Sequence, residues 1–279
     1  MGKQSMPTAG LIQEAASLIR SSRYLTAFTG AGVSVESGIP PFRGPGGLWG
    51  RYDPRTLELA YFLANPAKAW PVIKEIFYDN FGKALPNPAH KVLARLEVEG
   101  WARGRDSDAS GSGPAGTKPG HPPGGVSHLR TLITQNIDNL HRLAGSRNII
   151  EFHGNSAKLL CLSCGARVAA TPERLQTLPP RCDCGGIYKP DFIFFGEGIP
   201  PDAHARAHEA ARQSDVMLVV GSTGEVYPAA IVPRWAAEAG AKIIEINPDE
   251  SEFTSSVTTL HIPLPAGEAF SLIEKELFP

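Results

Sequence analysis

The four cysteines of the chain all lie between residues 161 and 184, in two close pairs. Two residues separate Cys161 from Cys164, one separates Cys182 from Cys184, and 17 residues separate the pairs. Four thiolates in two close pairs suit a tetrahedral zinc ion with a closed coordination shell, so the pattern predicts a structural zinc site. Disulfides and free thiols are the alternatives, and a reducing compartment disfavours disulfides.

A glycine-rich segment, residues 30–44, follows an apolar run at 24–29 that is typical of a buried strand. Gly30 and Gly32 stand where an α/β fold brings backbone N–H groups against a pyrophosphate. The hydride-transfer fingerprint requires a third glycine, and this chain has Val35 there. The segment therefore predicts a dinucleotide held in another pose. Further residues suited to cover a ring and a phosphate follow: Ile39, Phe42 and Arg43.

Polar or small residues follow four further apolar runs, 129–133, 148–151, 216–220 and 242–246. They are Gln135, Asn136 and Asp138, then His153, then Gly221 and Ser222, and finally Asn247. Since parallel strands end at one edge of a sheet, these residues should meet there with the glycine segment. His153 is a candidate general base, because the pKa of histidine is near neutral. An ordinary loop histidine, and a plain turn at 135–138, are the alternatives.

The alternation of apolar strands with helical patterns predicts an α/β fold with a parallel, doubly wound sheet. Residues 103–127 interrupt it, being rich in Gly, Pro and Ser, and we expect a disordered insertion there. A plain surface loop is the alternative. The run at 192–195 predicts a core strand, and the Gly196-Glu197-Gly198 stretch after it leaves exposed backbone for a partner strand.

Charge and hydropathy exclude several classes of protein. The net charge is −1, which does not favour a nucleic-acid or membrane-surface protein. No apolar run has the length of a membrane span, and the first residues have no signal-peptide core. We expect a cytoplasmic protein that binds neither nucleic acid nor membrane.

The motifs together resemble the sirtuins, the NAD-dependent protein-lysine deacylases, of the bacterial and archaeal type. The resemblance covers about 11–278 apart from the insertion. Its carriers are GAGVSVESGIPPFRG (30–44), TQNIDNLH (134–141), the pair His153-Gly154, the two cysteine pairs, KPDFIFFGE (189–197), GST (221–223) and INPD (246–249).

The resemblance implies a large Rossmann-like domain, 8–155 and 190–279, with a small zinc-binding domain inserted. Residues 156–189 would form the zinc-binding module and 54–88 the helical part of that small domain. It also implies that NAD is consumed. The acyl-lysine carbonyl oxygen attacks the ribose carbon as nicotinamide leaves, His153 acts as base on a ribose hydroxyl, and the acyl group ends on ADP-ribose. The protein would act as a monomer on acylated-lysine proteins or peptides.

The resemblance also assigns site residues. The catalytic residues would be His153, Asn136 and Asp138. The NAD-binding residues would be Gly30, Ala31, Gly32, Ile39, Phe42, Arg43, Gln135, Asn136, Asp138, Gly221, Ser222, Asn247 and Ala266. The substrate-binding residues would be Gly196 and Glu197, which pair with the peptide backbone, and Ile73 and Ile76 at the acyl group. The zinc ligands would be Cys161, Cys164, Cys182 and Cys184.

Two departures from the family pattern bear on function. Pro41 replaces an acid of the usual Ile-Pro-Asp-Phe-Arg stretch, which removes a backbone donor and a charge. Desuccinylating members carry a Tyr-x-x-Arg pair where this chain has Ile73 and Ile76, so we expect acetyl or longer apolar acyl groups as substrates. The alternative functions are a protein ADP-ribosyltransferase or NAD glycohydrolase using the same pocket, and a non-catalytic NAD-binding regulator.

Overall fold

The structure is a computed structural model that describes residues 7–42, 46–102 and 126–279. The predicted NAD-binding residue Arg43 and most of the predicted disordered insertion, 103–125, lie outside the described residues. The last two residues of that insertion were assigned wrongly, because they form strand β3 (Val126–Ser127), which pairs antiparallel with β2 (Trp101–Ala102). No helix in the described ranges has both the length and the apolar character that crossing a bilayer requires.

Six parallel strands form the main sheet, and the first of them in the chain, β1 (Leu25–Thr29), lies near its centre. The other five are β4 (Leu129–Thr134), β5 (Ile149–Glu151), β9 (Val216–Val220), β10 (Lys242–Ile246) and β11 (Leu260–Ile262). Their order across the sheet is β11-β10-β9-β1-β4-β5. After β1, the chain adds β4 and then β5 on one side of it. It later adds β9, β10 and β11 in turn on the other side, so the strand order reverses between β1 and β9. Such sheets bind ligands outside the strand ends at this reversal.

Helices cover both faces of the sheet, which confirms the predicted doubly wound α/β fold. On one face lie α1 (Thr8–Ser21), α4 (Pro88–Val98) and α8 (Ala266–Leu277), and on the other α6 (Pro201–Gln213) and α7 (Ile231–Glu238). The side chains of β9 alternate between the two cores. Leu218 packs on the first face, and Met217 and Val219 pack on the second. Burial on both faces explains why the sequence of β9 is continuously apolar.

A third apolar core lies outside the sheet and centres on Trp70. The helices α2 (Leu59–Ala64) and α3 (Pro66–Lys74) pack there against a sheet of three antiparallel strands, β6 (Gly154–Cys161), β7 (Arg167–Ala169) and β8 (Tyr188–Phe192). The Trp70 indole N–H donates to the carbonyl oxygen of Tyr188 at 2.9 Å. The predicted helical segment 54–88 and the cysteine-bearing segment therefore share one core. Their assignment to one zinc-binding domain stays a prediction.

Candidate active site

The glycine segment packs its backbone directly on the loop that follows β9. The N–H of Gly30 donates to Val220 at 2.9 Å, and the N–H of Gly32 donates to the carbonyl oxygen of Gly221 at 2.9 Å. A Cβ on Gly32 would lie 2.6 Å from the Cα of Gly221. These glycines are thus required by the close approach of two chain segments. Both N–H groups already have protein acceptors, so they are not free for a pyrophosphate in this structure.

Gly221 tolerates a side chain least, because its φ is +60° and an added Cβ would lie 2.3 Å from the backbone nitrogen of Val33. We expect Gly221→Ala to lower the free energy of unfolding by about 2–5 kcal/mol, from left-handed strain and overpacking combined. The matched control is Gly240→Ala, where φ is +92° but no atom lies within 4 Å of the added Cβ. It should cost only about 1–2 kcal/mol in urea denaturation. Equal losses in the two variants would contradict the close approach.

A short 3-10 helix, Ala31–Ser37, continues the glycine segment and places Ser34 inside a polar cluster. The Ser34 hydroxyl donates to Asp138 at 2.7 Å, and the amide of Asn136 donates to Ser34 and to the carbonyl oxygen of Gly30, each at 3.2 Å. Burial raises the pKa of Asp138, while the backbone N–H of Leu140 and the Ser34 hydroxyl favour its ionised form. The structure thus brings together Asn136, Asp138 and the glycine segment, as the sequence predicts.

Two buried histidines that the sequence analysis missed lie behind this cluster. His90 comes from α4, with its Nε2 3.4 Å from the Ser34 hydroxyl, and its ring centre is 4.7 Å from that of His141. His141 bonds through Nε2 to the hydroxyl of Thr29 at 2.9 Å. Burial lowers the pKa of His90 to about 4 and, together with the nearby His90, lowers that of His141 well below its usual value. Both imidazoles are therefore neutral at pH 7.

These histidines should make the fold sensitive to acid. Each is protonated more readily when unfolded, so its stabilising effect is complete above pH 6.5 and is lost as the pH falls toward the folded pKa. For His90, with a folded pKa of about 4, the loss between pH 6.5 and pH 4 is about 3 kcal/mol. We expect His90→Asn to flatten the dependence of unfolding free energy on pH, measured by denaturant titration. An unchanged slope in His90→Asn would refute the assignment.

His153 follows β5 at the same edge of the sheet and is half-buried. Its Nδ1 lies 3.1 Å from the carbonyl oxygen of Gln135. A carbonyl can only accept, so Nδ1 carries the proton and Nε2 carries the free lone pair. Burial lowers the pKa of His153, opposed by the Gln135 carbonyl. The side chain is therefore a neutral base at pH 7, held in one tautomer.

The residues predicted to bind the adenosine half of NAD lie on the Gly221 side of the contact between Gly221 and Gly32. The amide of Gln135 donates to the hydroxyl of Ser222 at 3.1 Å, which joins the two halves of the edge. Asn247 directly follows β10, and its backbone N–H donates to the carbonyl oxygen of Ile262 at 3.2 Å. Ala266 begins α8 and is only 4% exposed, so its methyl group belongs to the core.

A row of aromatic rings connects the glycine-rich segment, residues 30–44, to the predicted peptide-binding segment, residues 192–198. The rings of Phe42 and Trp49 are 5.3 Å apart, and those of Trp49 and Phe195 are 6.2 Å apart. Trp49 had no role in the sequence analysis. Ile39, the other predicted ring-covering residue, is buried in the same core as Trp70.

The predicted peptide-binding segment, residues 192–198, differs in secondary structure from what the sequence predicts. Strand β8 ends at Phe192, and the Phe195 side chain is 45% exposed, so 192–195 is not a core strand throughout. Gly196 adopts φ +82°, and the N–H of Glu197 donates back to Phe194 at 3.0 Å. Among the described residues, no backbone hydrogen bond occupies the N–H or C=O of Gly196. Gly196 therefore has free backbone groups for a partner, whereas the N–H of Glu197 is taken.

The predicted acyl-binding residues Ile73 and Ile76 lie in the Trp70 core, at most 1% exposed. A cavity of about 680 Å³ opens beside them, and neither isoleucine lines it. Phe77, Phe81 and Asp138 are among the residues that do. Contact between the isoleucines and an acyl chain would thus require this core to open.

The four cysteine sulfurs lie within 4.8 Å of one another. The sulfurs of Cys161 and Cys184 are 3.5 Å apart, and those of Cys164 and Cys182 are 3.8 Å apart. A disulfide needs about 2.05 Å, so the thiols are free in the structure. Zinc–sulfur bonds of about 2.3 Å place tetrahedral sulfurs about 3.8 Å apart, so this donor set fits zinc.

Known proteins share this sequence and fold. The model of the Sir2 family matches residues 30–103 and 126–228. The "NAD-dependent protein deacylase 2" of Pyrobaculum aerophilum is 40% identical over 267 residues, 94% of each chain. The "NAD-dependent protein deacetylase" of Sulfurisphaera tokodaii is 40% identical over 238 residues, covering 84% of this chain and 83% of its own.

Solved structures agree with these matches. An ADP-ribose complex of a mutant Sir2 homologue superposes with a TM-score of 0.79 at 36% identity, over 95% of each chain. The structure named "Sir2-p53 peptide-NAD+" gives a TM-score of 0.79 at 31% identity, over 95% of this chain and 98% of the other. The resemblance to the sirtuins is thereby confirmed: the chain belongs to the Sir2 family.

Proposed function

We propose that the chain is an NAD-dependent protein-lysine deacylase that converts NAD, an acyl-lysine protein and one water molecule to nicotinamide, O-acyl-ADP-ribose and the free lysine. The observation that carries the proposal is His153, a neutral base in a fixed tautomer at the sheet edge where the glycine segment, Asn136 and Asp138 meet. Relatives named NAD-dependent deacylase and deacetylase support it.

The residues at the edge suit NAD. Ala31, Phe42 and Arg43 would bind its phosphates and nicotinamide ribose, and Gly30 and Gly32 would line the same site with atoms other than their N–H groups, which already have protein acceptors. Ile39 and Asp138 would bind the carboxamide, and Gln135 and Asn136 the ribose hydroxyls. Gly221, Ser222 and Asn247 would bind the adenosine half, with Ala266 contributing only backbone atoms, since its methyl group is buried. The dinucleotide supplies an activated ribose carbon whose bond to nicotinamide can break. A half-buried cleft with aromatic cover limits the access of water to that carbon.

The chain's own residues then supply the proton chemistry and the orientation. The Nε2 of His153 would accept the proton of a ribose hydroxyl, while the Nδ1–H donates to the carbonyl oxygen of Gln135. Asn136 is fixed by Ser34 and Gly30, so its amide keeps one orientation. Gly196 and Glu197 would pair with the backbone of the substrate.

The cysteine cluster would hold one structural zinc ion, with Cys161, Cys164, Cys182 and Cys184 as its ligands. Four thiolates would fill the shell of a structural zinc ion, so no position would be open to a reactant. We expect the zinc to stabilise the residues 156–189 and not to take part in the reaction.

The acyl group should be apolar. Ile73 and Ile76 carry no charge, and the ammonium group of Lys74, which lines the adjoining cavity, is already paired with Asp79 at 2.7 Å. Burying an unpaired carboxylate there is costly. We expect kcat/KM for succinyl-lysine to be about 100-fold below that for butyryl-lysine, a chain of similar length without the charge. Equal hydrolysis of succinyl- and acetyl-lysine peptides would contradict this preference.

NAD labelled in its adenosine distinguishes the proposal from its rivals. A deacylase places label in O-acyl-ADP-ribose, and only when acylated peptide is present. Label on protein would indicate an ADP-ribosyltransferase, free ADP-ribose without peptide a glycohydrolase, and unchanged NAD a non-catalytic regulator. We further expect a cytoplasmic monomer, which sedimentation and fractionation can check.

A further inference from the structure

Lys189 is a charged residue in an unusual place, because its side chain is only 2% exposed. Its ammonium group donates to the carbonyl oxygen of Phe192 at 2.5 Å and to the carboxylate of Glu197 at 3.0 Å. The same group lies 4.6 Å from the centre of the Phe194 ring. Burying an ammonium group is costly, and these partners offset that cost for the buried side chain of Lys189.

The Glu197 carboxylate makes two contacts with one oxygen. Its Oε2 accepts from Lys189 and also from the backbone N–H of Phe194 at 2.9 Å. The Glu197 backbone N–H in turn donates to Phe194 at 3.0 Å. The Glu197 side chain therefore stabilises the turn from Phe194 to Glu197 through these hydrogen bonds. It is not available to bind a substrate side chain.

That turn presents the free backbone groups of Gly196. The residues before Gly196 are fixed elsewhere: Phe195 donates to Leu57 at 2.8 Å and accepts from Leu59 at 3.0 Å, and Ile193 donates to the carbonyl oxygen of His153 at 2.8 Å. The residues after Gly196 are held by the Glu197 carboxylate. In the absence of Lys189, the Glu197 carboxylate would have no buried cation as a partner. The turn would then no longer be held in place at Glu197.

We infer that Lys189 is a positioning residue for the substrate, which orders the turn at Gly196 so that its backbone can pair with an extended peptide on either side of the acyl-lysine. The inference deepens the proposed function and rests on it. It also narrows the expected role of Glu197: the carboxylate acts on the turn, the N–H is occupied, and only the backbone C=O can pair with the peptide.

The test measures the Kd of a fluorescent acetyl-lysine peptide by anisotropy, which does not depend on turnover. We expect Lys189→Met to raise this Kd about tenfold, through disorder of the turn. Arg167→Ala is the matched control. It removes an exposed ion pair with Asp191 on the same three-stranded sheet, and its Kd should stay within about twofold of the wild type.

A second peptide separates positioning from a general loss of structure. N-methylation of the amides flanking the acetyl-lysine removes the backbone donors of the peptide, so the methylated peptide should bind the wild type weakly and be insensitive to Lys189→Met. Equal weakening of both peptides, or an unchanged Kd for the normal peptide, would overturn the inference. If Lys189→Met does not fold, Glu197→Ala takes its place with the same criteria. Glu197→Gln should weaken binding less, because its amide oxygen can still accept from Lys189 and Phe194.

The outcomes separate the inference from the proposed function. A wild-type protein that binds the peptide but does not release nicotinamide contradicts the proposed function, and the Kd values still decide the role of Lys189. A wild-type protein that binds no acetylated peptide overturns both.

Discussion

His153→Ala is expected to lower kcat/KM for an acetylated peptide by about 10²–10⁴-fold, the usual contribution of a general base. The reason is the free Nε2 lone pair, which the Nδ1–H bond to Gln135 preserves. The Kd of NAD should rise less than about tenfold, because the ring would make only one hydrogen bond to the dinucleotide, at a ribose hydroxyl. Steady-state nicotinamide release and calorimetric NAD binding measure the two effects.

The control is His204→Ala, an exposed helical histidine that should keep wild-type turnover. Because burial lowers the pKa of His153, the acid limb of the wild-type kcat/KM profile should fall below pH 6.5. Turnover rises with pH through that pKa as the base loses its proton. Full turnover in His153→Ala would refute its role as the base.

Loss of zinc should have the largest effect on folding. Apparent zinc affinities of structural sites correspond to about 10–16 kcal/mol near neutral pH, so Cys182→Ser or prolonged chelation should unfold the cysteine-bearing module. We expect the melting transition to shift down and deacylation to be lost with it. Metal analysis by mass spectrometry should find about one equivalent of zinc per wild-type chain.

Ser163→Ala is the matched control for the cysteine variants. Ser163 lies between Cys161 and Cys164 in sequence and is not one of the four clustered sulfur donors. It should retain metal and melting temperature. A folded wild-type sample with much less than one equivalent of zinc would contradict the site.

The sequence predicted the strands and their ends well, because buried parallel strands are marked by unbroken apolar runs. The five runs assigned to the parallel sheet coincide with its strands to within one residue at either end, whereas the sixth run, 192–195, overlaps β8 only at Phe192. The convergence of Gln135, Asn136 and His153 followed from that topology alone. The resemblance to the sirtuins then indicated the functional roles of these residues, which their spacing in the sequence does not indicate.

What the sequence could not predict are contacts between distant segments. His90 and His141 are 51 positions apart, and nothing local shows that helix α4 brings the two rings together. The glycine pair had two physical explanations, phosphate binding and close approach, and only the tertiary contact with Gly221 separates them. A signal for Lys189 did exist: a lysine lies three residues before the apolar, aromatic run 192–195, and Glu197 follows that run.

The stoichiometry of a single reaction decides whether the chain is a deacylase. Wild-type protein is incubated with NAD and an acetylated peptide, and nicotinamide, free peptide and O-acetyl-ADP-ribose are quantified by mass spectrometry. We predict equal amounts of the three products, and none without the peptide. Nicotinamide release that does not require the acetylated peptide, or peptide deacetylation that proceeds without NAD, would contradict the proposed function.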